Sequence, residues 1–317
     1  MGSEMCIRDR IIHSNGLKTH LLAALAKPPG AKLIWHLHDF ISTRSTTRWL
    51  LPVLQRRASF VIAVSDAVAK DASSVLRGIP IRTVLNGVSE ALVEPRPADL
   101  DLLSGLSPSS GATRVGLVAT YASWKGHRLF IDAAAGLRDP SLRFYIVGGP
   151  VYSTRGSQLS VPTLQEEVRR HDLSEHCGLV PFQREMSAVY AALDVVVSAS
   201  TRPEPFGRAI AEAMMSGRTV IAPAEGGPLE QITPDLTGLL FEARSMESLR
   251  ASLSRVVSDS NLRRRLGQAA RTHALAHLNA KRMGPETLEV YRSLGDPPSG
   301  VSASSDGAPL PRADRGV

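Results

Sequence analysis

The sequence predicts an α/β protein made of two Rossmann-like, doubly wound parallel-sheet domains, the first of them incomplete at its start. Three observations carry this. Short apolar runs alternate with amphipathic stretches along the chain, the strand–helix order that builds βαβ units. The apolar runs are continuous, without alternating polar residues, as in strands covered on both faces. The pattern also pauses in a Pro/Ser/Gly-rich stretch, 94–113, and then restarts.

Each element follows in order. Residues 1–10 (MGSEMCIRDR) lack the apolar centre of a signal peptide and fit neither strand nor helix periodicity, so they read as a non-native segment. In the first block, 10–13, 32–38, 60–64 and 81–85 read as strands, and 19–26, 48–57 and 66–76 have helical spacing. With only four strands, 11–93 forms a partial domain, and 94–113 is the linker. The second block has strands at 114–119, 142–147, 178–182, 194–198 and 218–222. Its helices fall at 127–137, 162–171, 185–192, 207–216, 246–258 and 261–277. The whole of 114–292 is thus a complete β/α domain, whose last helix is expected to pack back on the first. Residues 293–317 hold too few large apolar side chains to offset their ordering entropy and read as a disordered tail. Ligands of such sheets sit beyond the carboxyl ends of the strands, here in the cleft between domains.

Composition narrows the function. Of 317 residues, 43% are apolar and 21% charged, ordinary for a globular chain, and no apolar run approaches the length of a membrane-spanning helix. The net charge of +7 could favour phosphates or anionic lipid. With 5% aromatic residues and no arginine-rich stretch interleaved with them, nucleic acid is not expected as a partner. Cys6 and Cys177 cannot build a disulfide framework, no Cys/His cluster has zinc spacing and no Asp-x-Asp cluster stands at a strand end, so no metal is expected. A cytoplasmic location follows, with room for peripheral contact at the inner membrane face.

The segment carrying most chemistry runs from Ser200 to Gly217. It follows an apolar strand, and Pro205 and Gly207 mark a loop turning into a helix. Free amides and the positive dipole end of a helix start favour an anion such as phosphate. Glu204 stands at the mouth of that turn and Glu212 one and a half turns inside. Both could face one cleft, or Glu204 could be a helix-start carboxylate and Glu212 a surface residue.

This stretch, E-P-F-G-x-x-x-x-E-A-M-x-x-G, resembles the E-x7-E signature of the retaining, nucleotide-sugar-dependent glycosyltransferases of family 4, which have the GT-B fold. Asn86-Gly-Val88, Lys125-Gly126, Phe144–Gly149, Gly226-Gly227 with Glu230, and Thr237-Gly-Leu-Leu240 resemble further family motifs. His13–Gly16, Trp35–Asp39 and Val64-Ser65 follow the family's order in the first domain, so the resemblance covers about 10–290. It implies that Glu204 binds the donor sugar, Glu212 the ribose, and Lys125 the diphosphate. Backbone amides of Phe206, Gly207 and Arg208 would touch sugar and diphosphate. The loop Val180–Gln183, including Phe182, would hold the base, chiefly through backbone groups, and His38 would lie in the cleft near the sugar's anomeric region. Gly226 and Gly227 could touch ligand or simply make a tight turn. Lys125 beside Trp124 could be a surface lysine, and His38 a structural one. His36 and His38 are assigned to opposite sides of their strand.

Two departures from the family pattern stand out. Thr120 occupies the place of an Arg that precedes the family's Lys-Gly, leaving diphosphate binding to Lys125 with Arg128 or Arg155 as a further cation. The opening strands and Gly-rich loop of the first domain are also absent, so the chain reads as truncated at its N-terminus. The resemblance implies transfer of a sugar from a nucleotide diphosphate sugar to an acceptor hydroxyl, on a glycan, lipid or small molecule, without a cofactor. The alternatives are a sugar-nucleotide epimerase of the same fold and an inactive nucleotide-sugar-binding remnant.

Overall fold

A computed structural model describes residues 11–90, 96–137, 139–151 and 156–295. The segment 1–10 with Cys6, residues 94 and 95 of the linker, Arg155, and 296–317 of the tail lie outside the described residues. The first sheet contains β1 (Ile11–Asn15), β2 (Lys32–Leu37), β3 (Phe60–Ala63) and β4 (Ile81–Thr83), side by side in chain order and all parallel. Between them run α1 (Leu17–Ala26), α2 (Ser45–Leu54) and α3 (Asp66–Val75). Every residue of β2 from Leu33 to Leu37 is buried, the pattern of a strand covered on both faces.

The second sheet is six-stranded and parallel, in the order β10-β9-β8-β5-β6-β7. Its strands are β5 (Thr113–Val118), β6 (Leu142–Gly148), β7 (Cys177–Pro181), β8 (Val195–Val197), β9 (Thr219–Pro223) and β10 (Leu239–Phe241). The helices are α4 (Leu100–Ser104), α5 (His127–Ala135), α6 (Val161–Arg170), α7 (Met186–Ala192), α8 (Arg208–Met215), α9 (Pro228–Gln231), α10 (Met246–Ser258), α11 (Ser260–His277) and α12 (Met283–Ser293). The apolar runs that read as strands in the sequence are strands, with ends shifted by a few residues, the usual fraying of element boundaries.

One assignment is corrected. The stretch 94–113 is not a bare linker: it carries α4, whose Leu100 and Asp101 are buried against β7 and β6. Asp101 accepts a hydrogen bond from the Tyr145 hydroxyl at 2.5 Å and pairs with Arg114 at 3.2 Å. Burial pushes the Asp101 carboxyl up, but Tyr145, the Ser109 amide and Arg114 outweigh it and hold the group below its ordinary value. A five-residue helix is too short to show periodicity.

The domains share apolar packing. One core cluster runs from Val64 and Val68 of the first domain to Phe206, Ile210 and Met214 of the second. The last helix crosses back: Tyr291 of α12 bonds His13 at 2.6 Å, Glu289 pairs with Arg82 at 2.6 Å, and Val290 packs with Ile34 and Ile62. Arg282, just before it, donates to the carbonyls of Leu85 and Asn86.

Candidate functional site

Strand order reverses between β5 and β8. From β5 the sheet grows through β6 to β7 on one side, and from β8 through β9 to β10 on the other. Loops leaving the carboxyl ends of β5 and β8 therefore part and open a crevice, the usual ligand position in such sheets. Lys125 enters from the β5 loop. The next residue, Gly126, has φ +72°, and a Cβ there would collide with the Ala199 carbonyl, so only glycine lets the two loops touch. As a result Lys125 Nζ reaches Glu204 Oε1 at 2.5 Å, and the Ser200 hydroxyl donates to the same oxygen.

The Glu204 loop is held from behind. Gly227 N–H donates to the Glu204 carbonyl at 2.8 Å, and a Cβ on Gly227 would stand 2.5 Å from the Phe206 carbonyl oxygen. Gln231 Nε2 donates to that same Phe206 carbonyl. Beyond the loop, α8 starts at Arg208 with no side-chain cap. Arg208 Nε meets Glu212 Oε1 at 3.1 Å, while the Tyr190 hydroxyl donates to Glu212 Oε2 at 2.9 Å. Burial, with Glu212 alongside, pushes the Tyr190 phenol well up, so it remains a donor at neutral pH.

Lys125, Glu204, Gly207, Arg208, Glu212 and Phe182 all line one cavity of about 620 Å³. Phe182 and Gly149 also border an apolar hollow of about 460 Å³ beside it, walled by Tyr121, Val161 and Leu179. A hollow of about 680 Å³ beside α4 is larger, but it shares no residue with the crevice, and its Asp101 and Arg114 are bonded to each other. Chemically, the crevice offers a cation and an uncapped helix start for phosphate, carboxylates for hydroxyls, and an adjoining apolar recess.

Other predicted residues fall elsewhere. The side chains of Val180 and Phe206 are buried in the core, because β7 pairs with β6 there and Phe206 joins the inter-domain cluster, so the roles the resemblance implies for them rest on their backbone groups. Gly226 and Gly227 back the Glu204 loop and do not line the cavity. Arg128 is bonded to Glu167 at 2.9 Å, outside the crevice. His38 belongs to the first domain and does not line this cavity either. Its ring stacks 4.4 Å from that of His36, which corrects the opposite-side assignment: residues two apart on a strand share a face. His13 joins them, its Nε2 lying 3.2 Å from His36 Nδ1. Burial and neighbouring imidazoles lower His36 to about 3 and His20 to about 4, and lower His13; burial also lowers His38 despite Asp39. The cluster is therefore uncharged at neutral pH. Among the described residues, His38 Nε2 is buried without a partner.

Four roles were not read from the sequence. Ser200, inside the quoted segment, braces Glu204, and Tyr190 on α7 braces Glu212. Ser65 both caps α3, accepting from Val68 N–H at 3.1 Å, and donates to the Pro205 carbonyl at 2.5 Å. Glu230 adds a second tie, accepting from Asp66 and Ala67 N–H at 2.7 and 2.8 Å, so the start of α3 holds the Glu204 loop to the first domain.

Comparison with known proteins agrees with this architecture. The family model described as Glycosyl transferases group 1 matches residues 108–273, more than half of the chain, and that described as Glycosyltransferase Family 4 matches 8–92. The chain belongs to the group 1 glycosyl transferases. A D-inositol 3-phosphate glycosyltransferase of Nocardiopsis dassonvillei is 30% identical over 65% of this chain and 51% of its own length. A GDP-mannose-dependent alpha-mannosyltransferase of Mycobacterium tuberculosis is 32% identical over 61% of this chain and 47% of its own. The chain spans about half the length of these curated relatives. HepE of Anabaena, solved with UDP and glucose, superposes with TM-score 0.80 at 26% identity, covering 90% of this chain and 78% of HepE. The two parallel-sheet domains thus form the GT-B fold. No helix among the described residues is long and apolar enough to cross a membrane.

Proposed function

We propose that this glycosyltransferase moves a sugar from a nucleoside diphosphate sugar to an acceptor hydroxyl with retention of anomeric configuration, in glycan, lipid-linked or polysaccharide biosynthesis. The observation that carries the reading is the Lys125–Glu204 pair at the strand-order reversal, with Glu212 in the same cavity. The names of the relatives and of HepE, which mention GDP-mannose, UDP and glucose, support a nucleotide sugar as donor. Lys125 and the α8 amides would stabilise the charge that grows on the departing diphosphate. Glu204 would hold the sugar hydroxyls and Glu212 the ribose. The bond from the anomeric carbon to the phosphate oxygen breaks, a bond to the acceptor oxygen forms on the same face, and the acceptor proton passes to the departing phosphate. Charge compensation by Lys125 and the helix start makes a metal ion or cofactor unnecessary in this reading.

Incubation with radiolabelled UDP- and GDP-sugars and a panel of glycan, lipid and small-molecule acceptors tests it. Labelled product insensitive to chelator is the expected result. Epimerised free donor would favour an epimerase, and binding without turnover would favour a nucleotide-sugar-binding remnant. A cytoplasmic site of action with peripheral membrane contact belongs to the same reading. It is supported by exposed Leu22 and Leu25 on α1 and Trp49 and Val53 on α2, with exposed Lys18, Arg48 and Arg56 on the same two helices or just beyond them. Co-sedimentation with phosphatidylglycerol vesicles, and none with phosphatidylcholine vesicles, checks that contact.

A further inference from the structure

We propose that the Arg208 guanidinium is the second diphosphate cation of this site, released to the donor when the ribose takes its place on Glu212. The inference rests on the nucleotide-sugar reading and adds a side-chain role to it. The argument starts from charge. A nucleoside diphosphate group brings two negative charges, and Lys125, already in contact with Glu204, answers only one of them. At position 120, where the family resemblance expects an Arg, the chain has Thr, and its Oγ1 is buried against the crevice without a partner among the described residues. Arg128 is engaged by Glu167, Arg202 lies over the Trp124 ring at 5.6 Å, and Arg244 is paired with Glu225 at 2.8 Å. Among the described residues lining the crevice, Arg208 is the one cation besides Lys125.

Its placement suits an exchange. Arg208 is the first residue of the eight-residue α8, so its side chain and the uncapped amides of that helix start stand at one place. The side chain is 75% exposed and held by one i,i+4 pair with Glu212, a contact of the weak, solvent-screened kind. Glu212 keeps its second anchor, the buried Tyr190 hydroxyl, when Arg208 leaves. Oε1 is then free for a ribose hydroxyl and the guanidinium free for phosphate, whose oxygens its planar fork matches. Arg208 trades one anion for another, while the Glu212 carboxylate exchanges the guanidinium for a ribose hydroxyl and keeps the Tyr190 hydrogen bond.

The test is calorimetric titration of the 317-residue protein with UDP, GDP, UMP and GMP. Wild type is compared with Arg208→Gln, Arg208→Lys, and Arg208→Gln combined with Thr120→Arg; thermal melting checks that each variant is folded. Arg208→Gln is expected to weaken binding of the preferred diphosphate about ten- to a hundredfold, the loss of a charged hydrogen bond, and the monophosphate far less. Arg208→Lys should recover part of the loss. Adding Thr120→Arg should recover most of it, because it returns a cation to the same crevice from the β5 side. Unchanged diphosphate affinity in Arg208→Gln, or equal loss for mono- and diphosphate, overturns the assignment while leaving the donor reading intact. A wild-type protein that binds neither UDP nor GDP overturns the donor reading and this inference with it.

Discussion

The histidine cluster of the first domain and the crevice of the second treat their polar groups in opposite ways. Near the carboxyl ends of β1 and β2, His13, His36 and His38 are packed together, with His20 close by, and burial holds them uncharged, His36 down to about 3 and His20 to about 4. In the second domain the crevice keeps its ions, as the pairs Lys125–Glu204 and Arg208–Glu212. The difference is one of place. The histidines sit on or against strands covered on both faces, where an ion would lose its water without gaining an opposite charge. Lys125 and Glu204 stand on loops above the sheet, still 24% and 12% exposed, with a partner in reach. In the proposed function the neutral face would suit a neutral hydroxyl acceptor and the charged face a diphosphate.

The comparison can be broken first at its geometric root. Gly126→Ala should cost about 2–5 kcal/mol, the sum of a left-handed backbone without glycine and a forced displacement of the loop at Ala199. Urea denaturation followed by circular dichroism reads this, and a wild-type midpoint would mean that the turn does not need glycine.

Next in size is the functional contrast between the two faces. Glu204→Gln is expected to lower sugar transfer about 10²–10³-fold, the typical loss of one preorganised electrostatic contact. His38→Gln, on the neutral face, should lower it only about tenfold, the size of one ordinary hydrogen bond. Equal losses in the two variants would erase the distinction.

A third experiment bears on the neutral face. Because the folded-state pKa of His36 and His20 lies below the unfolded value of about 6.5, the unfolded chain takes up protons first as pH falls. Stability should be level above about 6.5 and decline from there toward the folded values near 4 and 3. Urea midpoints between pH 7.5 and 5, above most carboxylate titration, should show the slope, and His36→Gln should reduce it in part, His20 and the buried His127 of the second domain contributing the rest. A slope unchanged in that variant would remove His36 as its source.

The smallest effect concerns the tie between the faces. Glu230→Gln keeps one acceptor for the Asp66 and Ala67 amides but loses the charge at the start of α3, a cost of about 1 kcal/mol. Thermal melting that matches wild type would show that Ser65 and the shared apolar packing suffice to join the domains.

Much of the second domain was legible in advance. Continuous apolar runs announced β6, β8 and β9, and the segment from Ser200 to Gly217 placed Glu204, Arg208 and Glu212 in the crevice. Less legible was what each side chain touches. Gly226 and Gly227 looked like candidate ligand contacts, but their backbone supports the Glu204 loop. Val180 and Phe206 were assigned backbone roles, and that their side chains join the core packing was not read from the sequence. Asp101 hid in a polar stretch whose short helix has no periodicity to show.

Local spacing by itself determined the alternation of strand and helix, the burial of the strands and the carboxylate pair at the start of α8, because these depend on residues within a turn or two of each other. The reversal of strand order between β5 and β8 could be read only from the folded sheet. So could the meeting of Lys125 with Glu204 across 79 residues, the tie from Glu230 to α3 across 164, and the neutral state of the histidine cluster. Each of these depends on which distant segments lie side by side and how much water they exclude, and no short-range pattern encodes that.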